Sequence, residues 1–313
     1  MKVVALFSGG LDSILAVRLI QEQGIKVVGI TFTTPFFGSK DAEVMAKKIS
    51  LPLTVQDITD EHLKIVKNPK HGHGKNMNPC IDCHVLMAKK AGDFMRKKGA
   101  SFIISGEVLG ERPMSQNKAA LRVVDKESGY DGYVLRPLSA RLLSPTIPEE
   151  KGWVDREKLL SISGRSRKVQ LELAKKYNLQ NFPTPAGGCL LTDGSFSNRL
   201  RDLLELNLKP DVNDLELLKY GRHFPTKEAL IIVSRNQDEN NKLIELAKDD
   251  DLFFQVRDYP GPKTILRGKA SEKAVEMAAH LTVKYGKAKN VARVEVWCWH
   301  PGKERKLMIV NIL

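Results

Sequence analysis

The chain opens with an unbroken apolar run, VVALF (3–7), set directly against SGGLDS (8–13). An apolar pattern at helical spacing follows, in Leu11, Ile14, Leu15, Leu19 and Ile20, and stops at Gly24. A strand apolar at every position is buried on both faces, which happens where a parallel sheet is covered by helices. KVVGITF (26–32) repeats the buried-strand signature, DAEVMAKKIS (41–50) reads as a helix and LTVQDI (53–58) as a third strand. This alternation predicts an α/β fold, a parallel sheet flanked by helices. It also places SGGLDS at the carboxyl end of a strand, where such sheets bind ligands.

Further along, residues 60–79 turn polar and glycine-rich through KHGHGKNMNP and read as a long loop. CIDCHVLMAKKAGDFMRKKG (80–99) has helical periodicity, which puts Cys80 at a helix start, and FIISGE (102–107) is the next strand. LRVVD (121–125) and GYVLRPL (132–138) bracket a turn-rich stretch and read as a hairpin or two short strands. A basic helix, SRKVQLELAKKYNL (166–179), precedes a Pro- and Gly-rich passage around Cys189. Past KPDVND (209–214) the pattern changes: ALIIVSR, DLFFQVRD, KTILRG and VARVEVWCW read as strands, QDENNKLIELAK and SEKAVEMAAHLTVKYG as helices. The expected division is therefore a larger domain over 1–205 and a smaller α+β domain over 206–313, as befits 313 residues.

The apolar start is too short for a secretory signal, and no stretch approaches a membrane span, so a cytoplasmic protein without membrane contact is expected. In a reducing compartment four cysteines argue for reactive or metal-binding roles rather than disulfides. The net charge of +13 favours a polyanionic partner. Residues 206–313 carry 19 basic and 15 acidic side chains, so most of the excess lies on 1–205, which includes Arg165, Arg167, Lys168, Arg199 and Arg201.

In SGGLDS the backbone around Gly9 and Gly10 is free to turn its N–H groups toward an anion, with Ser8 and Ser13 adding hydroxyls. The alternative is a tight turn with a helix cap. The string matches neither the Walker nor the dinucleotide glycine motif. It resembles the PP-loop of N-type ATP pyrophosphatases, whose fold is that of the adenine nucleotide alpha hydrolases. The resemblance implies that Ser8, Gly9, Gly10, Asp12 and Ser13 cradle ATP, with Asp12 near Mg2+ and catalytic, and that ATP is cleaved to AMP and pyrophosphate to adenylate a substrate oxygen.

Two further stretches narrow the substrate. NPCIDCH (78–84), with Cys189 in PTPAGGCLL about a hundred residues on, resembles tRNA 2-thiouridylases, and SGEVLGERPMSQ (105–116) resembles tRNA 4-thiouridine synthetases. Both imply ATP-dependent thiolation of a uridine in tRNA, with 4-thiouridine favoured by the longer match. Such chemistry needs a sulfur donor, sulfide or a persulfide carrier, held beside the activated carbon. Cys80, Cys83 and Cys189 match the three-ligand pattern of thiolases that hold a [4Fe-4S] cluster. The alternative is a persulfide relay between Cys80 and Cys189. A structural zinc site from His71, His73, Cys80 and Cys83 is a third reading. Cys298 matches no motif and is expected to be inert.

The C-terminal segment, in YGRHFPTKEALIIVSRNQDEN and DLFFQVRDYPGPKTILRG, resembles the RNA-binding domain of NFACT proteins. The resemblance implies contact with structured RNA through Arg222, His223, Arg235, Asn236, Arg257 and Lys263. Arg257 and Asp258 forming an internal ion pair is the plainer reading of that pair. Two other functions fit part of the pattern: a PP-loop ligase acting on a small molecule, and an RNA-binding factor without catalysis.

Overall fold

The computed structural model describes residues 1–183, 188–206 and 210–312. It divides into two compact units, Met1–Thr192 and Asp193–Leu313. The division falls before the helix Gly194–Glu205, which the expected boundary at 205/206 leaves in the larger domain.

In the first unit the order is β1 (Lys2–Leu6), α1 (Leu11–Gln21), β2 (Lys26–Thr33), α2 (Lys40–Lys48), β3 (Leu53–Asp57), α3 (Thr59–Lys67), α4 (Cys80–Lys97), β4 (Ile103–Ser105), α5 (Lys118–Glu127), β5 (Val134–Leu135), α6 (Ile147–Glu150) and α7 (Lys168–Lys176). The five strands form one sheet in the order β3-β2-β1-β4-β5. Every pairing is parallel, with Val3 opposite Val27 and Ala5 opposite Ile104.

Side chains alternate across the pleat, so β1 serves two cores at once. Val3 and Ala5 pack with Ile14, Val17 and Ile20 of α1 and Met45 of α2. Val4 faces the other way, toward Leu86, Ala91 and Met95 of α4. The strand order reverses direction between β1 and β4. Such a reversal is where open α/β sheets bind ligands, at the carboxyl ends of the strands between the loops that follow them. SGGLDS and GEVLGERPMSQ are those two loops.

Two expectations are corrected. Leu121–Asp125 is not a strand but part of α5, whose Leu121 and Val124 are buried at helical spacing after an Asn117 cap. Residues 60–67 belong to α3, which the charged TDEHLK sequence obscured, so the polar loop is confined to 68–79.

The second unit begins with α8 (Gly194–Glu205) and α9 (Val212–Leu217), then β6 (Arg222–Pro225), β7 (Ala229–Val233), α10 (Gln237–Glu245), β8 (Leu252–Val256), β9 (Thr264–Gly268), α11 (Glu272–Lys284), β10 (Arg293–Trp299) and β11 (Lys306–Asn311). Its six strands form an antiparallel sheet ordered β11-β10-β8-β9-β7-β6. One face carries Ile231, Phe254, Leu266 and Val296 and packs against Ala274, Ala278 and Leu281 of α11. Arg267 is buried in this unit and satisfied by Asp251 and Asp214, both within 2.9 Å.

Candidate nucleotide and thiol site

Gly9 adopts φ +78°, and a Cβ there would meet the backbone carbonyl of Asp41 at 2.5 Å. Only glycine satisfies both conditions. The turn delivers Gly10 as the N-cap of α1 with no side chain capping the helix, so the first-turn N–H groups are left open at the turn. Ser13 Oγ donates to Gly10 O at 2.8 Å and the Gly10 N–H donates to Ser8 Oγ at 3.3 Å, which fixes both hydroxyls at the loop. The five expected loop residues thus share one concave turn at a helix N-terminus, the geometry that receives phosphate.

The loop after β4 closes on this turn. A Cβ at Gly106 would lie 2.5 Å from Ser13 N, so the SGE segment packs backbone to backbone against α1. Burial raises the Asp12 carboxyl, opposed by Arg167, the Gln170 amide and Arg112. Glu111 is raised too, by burial and by the Asp12 charge. Glu107, next in the loop, is buried. Burial would push it up, but Arg136 and His84 outweigh that and bring it down to about 2.

Cys80 opens α4 and accepts a hydrogen bond from Asn78 Nδ2 at 3.2 Å. Cys189 arrives from a separate strap, held where Leu190 N donates to Phe36 O at 2.9 Å and Asn76 Nδ2 donates to Thr192 O at 2.7 Å. Residues 184–187, within the PTPAGG passage, lie outside the described residues. Burial pushes the Cys83 thiol well up, and Cys189 and Cys80 add to the rise. Cys189 is pushed up to about 11, by burial and, further down, by Cys80, with Arg112 acting against it. The three thiols therefore lie within electrostatic reach of one another, and Arg112 acts on both Cys189 and Asp12.

As a donor set, three thiols fit an iron–sulfur cluster. Among the described residues, however, no group of three or more His, Cys, Asp or Glu side chains could hold a metal ion. The zinc set does not assemble: His71 Nε2 pairs with Glu127 at 3.2 Å and His73 Nε2 with Val66 O at 2.8 Å. Cys298 is in β10 of the other unit, its thiol pushed up to about 11 by burial.

The RNA-facing candidates are spread over the second unit. Arg222 is exposed and lies 4.7 Å from the Tyr285 ring centre. Arg257 donates to Glu295 at 2.6 Å, also contacts Asp258 at 3.5 Å, and stands 5.8 Å from the Trp297 ring centre. Lys263 is lowered by burial and by Arg305. Arg235 is tied to Glu239, Asn236 caps α10 by accepting from Glu239 N at 2.9 Å, and His223 Nε2 is engaged by Tyr220 O at 2.7 Å. The structure also places Glu111, Arg112 and Gln170 near Asp12, and Arg305 near Lys263, none of which the sequence singled out. The first two stood inside a quoted motif, but nothing in a helix-like SRKVQ marked Gln170.

Residues 1–141 match the family described as Thiamine biosynthesis protein (ThiI), and residues 221–312 match the NFACT protein RNA binding domain. A tRNA-specific 2-thiouridylase MnmA of Bradyrhizobium sp. (strain ORS 278) is 25% identical over 251 residues, 71% of this chain and 58% of that protein. A probable tRNA sulfurtransferase of Thermococcus kodakarensis is 30% identical over 149 residues, 44% of this chain and 36% of that protein. The chain thus spans about half the length of these curated relatives. A solved 4-thiouridine synthetase in complex with RNA and ATP is 19% identical, covering 70% of this chain and 52% of that one, with a TM-score of 0.41. The glycine turn and the loop after β4 thus lie inside the segment that matches the ThiI family, and the six-stranded antiparallel sheet lies inside the segment that matches the NFACT protein RNA binding domain.

Proposed function

We propose that this protein is an ATP-dependent tRNA uridine thiolase. The observation that carries the reading is the gathering of three thiols from two distant segments, with Arg112 acting both on Cys189 and on Asp12 of the SGGLDS turn. A PP-loop ligase for small molecules has no use for the Cys189 strap, and a binding factor has none for the thiols. Residues 1–192 are the catalytic part in this reading and 193–313 the RNA-binding part, in which Arg222, Arg257 and Lys263 offer cationic groups to the RNA backbone.

The uridine carbonyl oxygen attacks the α-phosphorus of ATP, and pyrophosphate leaves toward the α1 N-terminus, whose N–H groups and Ser8 and Ser13 hydroxyls receive it. Sulfur then attacks the activated carbon and AMP departs. The favoured product is 4-thiouridine, on the resemblance of SGEVLGERPMSQ. Cys80, Cys83 and Cys189 would hold a [4Fe-4S] cluster, which when bound presents sulfide to the adenylated base.

A persulfide relay is the second reading, favoured by Cys80 and Cys189, from separate segments, lying within electrostatic reach of each other. A Cys80 persulfide attacks the carbon and displaces AMP. Cys189 then attacks the Cys80 sulfur, freeing the thiouridine and forming a disulfide that a cellular thiol must reduce.

The test is tRNA-dependent AMP release by anaerobically purified protein, with iron and sulfide analysis and nucleoside analysis of the tRNA. AMP and 4-thiouridine are expected. AMP release indifferent to tRNA overturns the tRNA substrate, and a full thiolation yield from iron-free protein overturns the cluster.

A further inference from the structure

Gln170 occupies the third position of α7 and is wholly buried, yet neither its Oε1 nor its Nε2 has a hydrogen-bond partner. A buried amide left open costs roughly 1–3 kcal/mol, and folds keep such groups where another species fills the gap. The amide lies beside the Asp12 carboxyl and favours its charged form, but no hydrogen bond closes between them, and Asp12 Oδ1 is itself buried and unpartnered. Arg167, the N-cap residue of the same helix, acts on that carboxyl and keeps a buried Nε with no partner. Glu111 stands within electrostatic reach of Asp12, Arg112 and Arg167.

Asp12 Oδ1 and Gln170 Oε1 are thus two buried, open oxygens in one neighbourhood, and the Asp12 and Glu111 carboxylates there repel one another unless a cation joins them. Two carboxylates and one amide oxygen form a hard donor set of the kind Mg2+ takes while sharing its remaining positions with water and phosphate. The open Arg167 Nε suits an anion in the same place. A metal–triphosphate complex satisfies all the open groups together. Neither half does so alone, because a free phosphate would face Asp12 and Glu111, and a free cation would face Arg167 and Arg112.

We propose that Gln170, with Asp12 and Glu111, supplies an oxygen to the divalent cation that accompanies the nucleotide, and that Arg167 binds a phosphate oxygen of the same complex. This rests on the nucleotide reading of the SGGLDS turn and adds to it a wall contributed by α7, some 158 positions away in sequence from Asp12 to Gln170.

Electron paramagnetic resonance of Mn2+ with the full chain and a non-hydrolysable ATP analogue tests it without tRNA or turnover. Gln170→Leu is expected to weaken Mn2+·nucleotide binding about 10-fold, the scale of losing a metal-site partner. Gln170→Glu, which restores an oxygen, is expected to keep it near the parent value, and this variant guards against a folding defect in the first. Arg167→Met is expected to weaken nucleotide binding more than Mn2+ binding. Parental affinity in Gln170→Leu, or equal loss in both Gln170 variants, overturns the proposal while the nucleotide reading stands. A parent that binds no Mn2+·nucleotide removes the nucleotide reading itself, and this inference with it.

Discussion

Arg136 Nε donates to Glu107 Oε2 at 2.9 Å in the interior of the first unit, and the remaining arms of the guanidinium reach Asp125 at 2.9 and 3.0 Å. Glu107 uses its other oxygen on His84 Nδ1 at 2.6 Å. The loop after β4, the helix bearing Cys80 and Cys83, and α5 are thereby joined by one buried network. Removing Arg136 takes the buried cation from both Glu107 and Asp125 and leaves Glu107 with His84 alone. Arg136→Met is expected to cost about 3–5 kcal/mol in denaturant unfolding, partly recovered by adding Glu107→Gln.

The same network fixes a pH response. Glu107 falls from 4.5 to about 2 on folding, so its stabilisation is complete above pH 4.5 and is lost as pH falls through 2. Glu107→Gln is expected to flatten that acid limb in thermal melts. An unchanged slope between those values argues that the pair carries no linkage.

Asp12 has the opposite sign. Its carboxyl is raised by burial, so the ionised form costs stability at neutral pH and the cost disappears below 3.8. Asp12→Asn is expected to raise the melting temperature at neutral pH, to leave it unchanged below 3.8, and to abolish tRNA-dependent AMP release. A variant less stable than the parent at neutral pH contradicts the assignment of strain to this carboxylate.

Gly106→Ala tests the contact between the loops after β1 and β4. The new methyl would sit 2.5 Å from Ser13 N and 2.7 Å from the Asp12 carbonyl carbon. Backbone must shift to admit it, at a cost of about 1–3 kcal/mol. Nucleotide affinity is expected to fall with stability, since the displaced atoms are the phosphate turn. Calorimetric titration with ATP reads the effect, and parental affinity in a destabilised variant would separate the two loops.

Cys189→Ala is expected to stop sulfur insertion and to spare AMP release, because the strap supplies none of the N–H groups or hydroxyls of the phosphate turn. Cys298→Ala, in the other unit, is expected to match the parent in both assays. Thiouridine formed by the Cys189 variant at the parent rate would remove both sulfur-transfer readings.

The alternation of buried runs and helical stripes was readable from residues 1–58 because each period is set by the local backbone: 2 for a strand and 3.6 for a helix. Gly9 was readable for the same reason, since positive φ is a property of one residue. Where charged residues filled a helix, as in TDEHLK, or a helix was short and rich in valine, as in LRVVD, local preference spoke weakly and packing decided. The cysteine motif was legible as a pair of segments, but their meeting depends on Leu190 reaching Phe36 and Asn76 reaching Thr192. Gln170 lay wholly beyond the sequence: a glutamine in a basic amphipathic helix is unremarkable until the sheet brings α7 against the start of α1. Period and turn chemistry act between neighbours along the chain, whereas a binding site is made by groups that only long-range burial brings together.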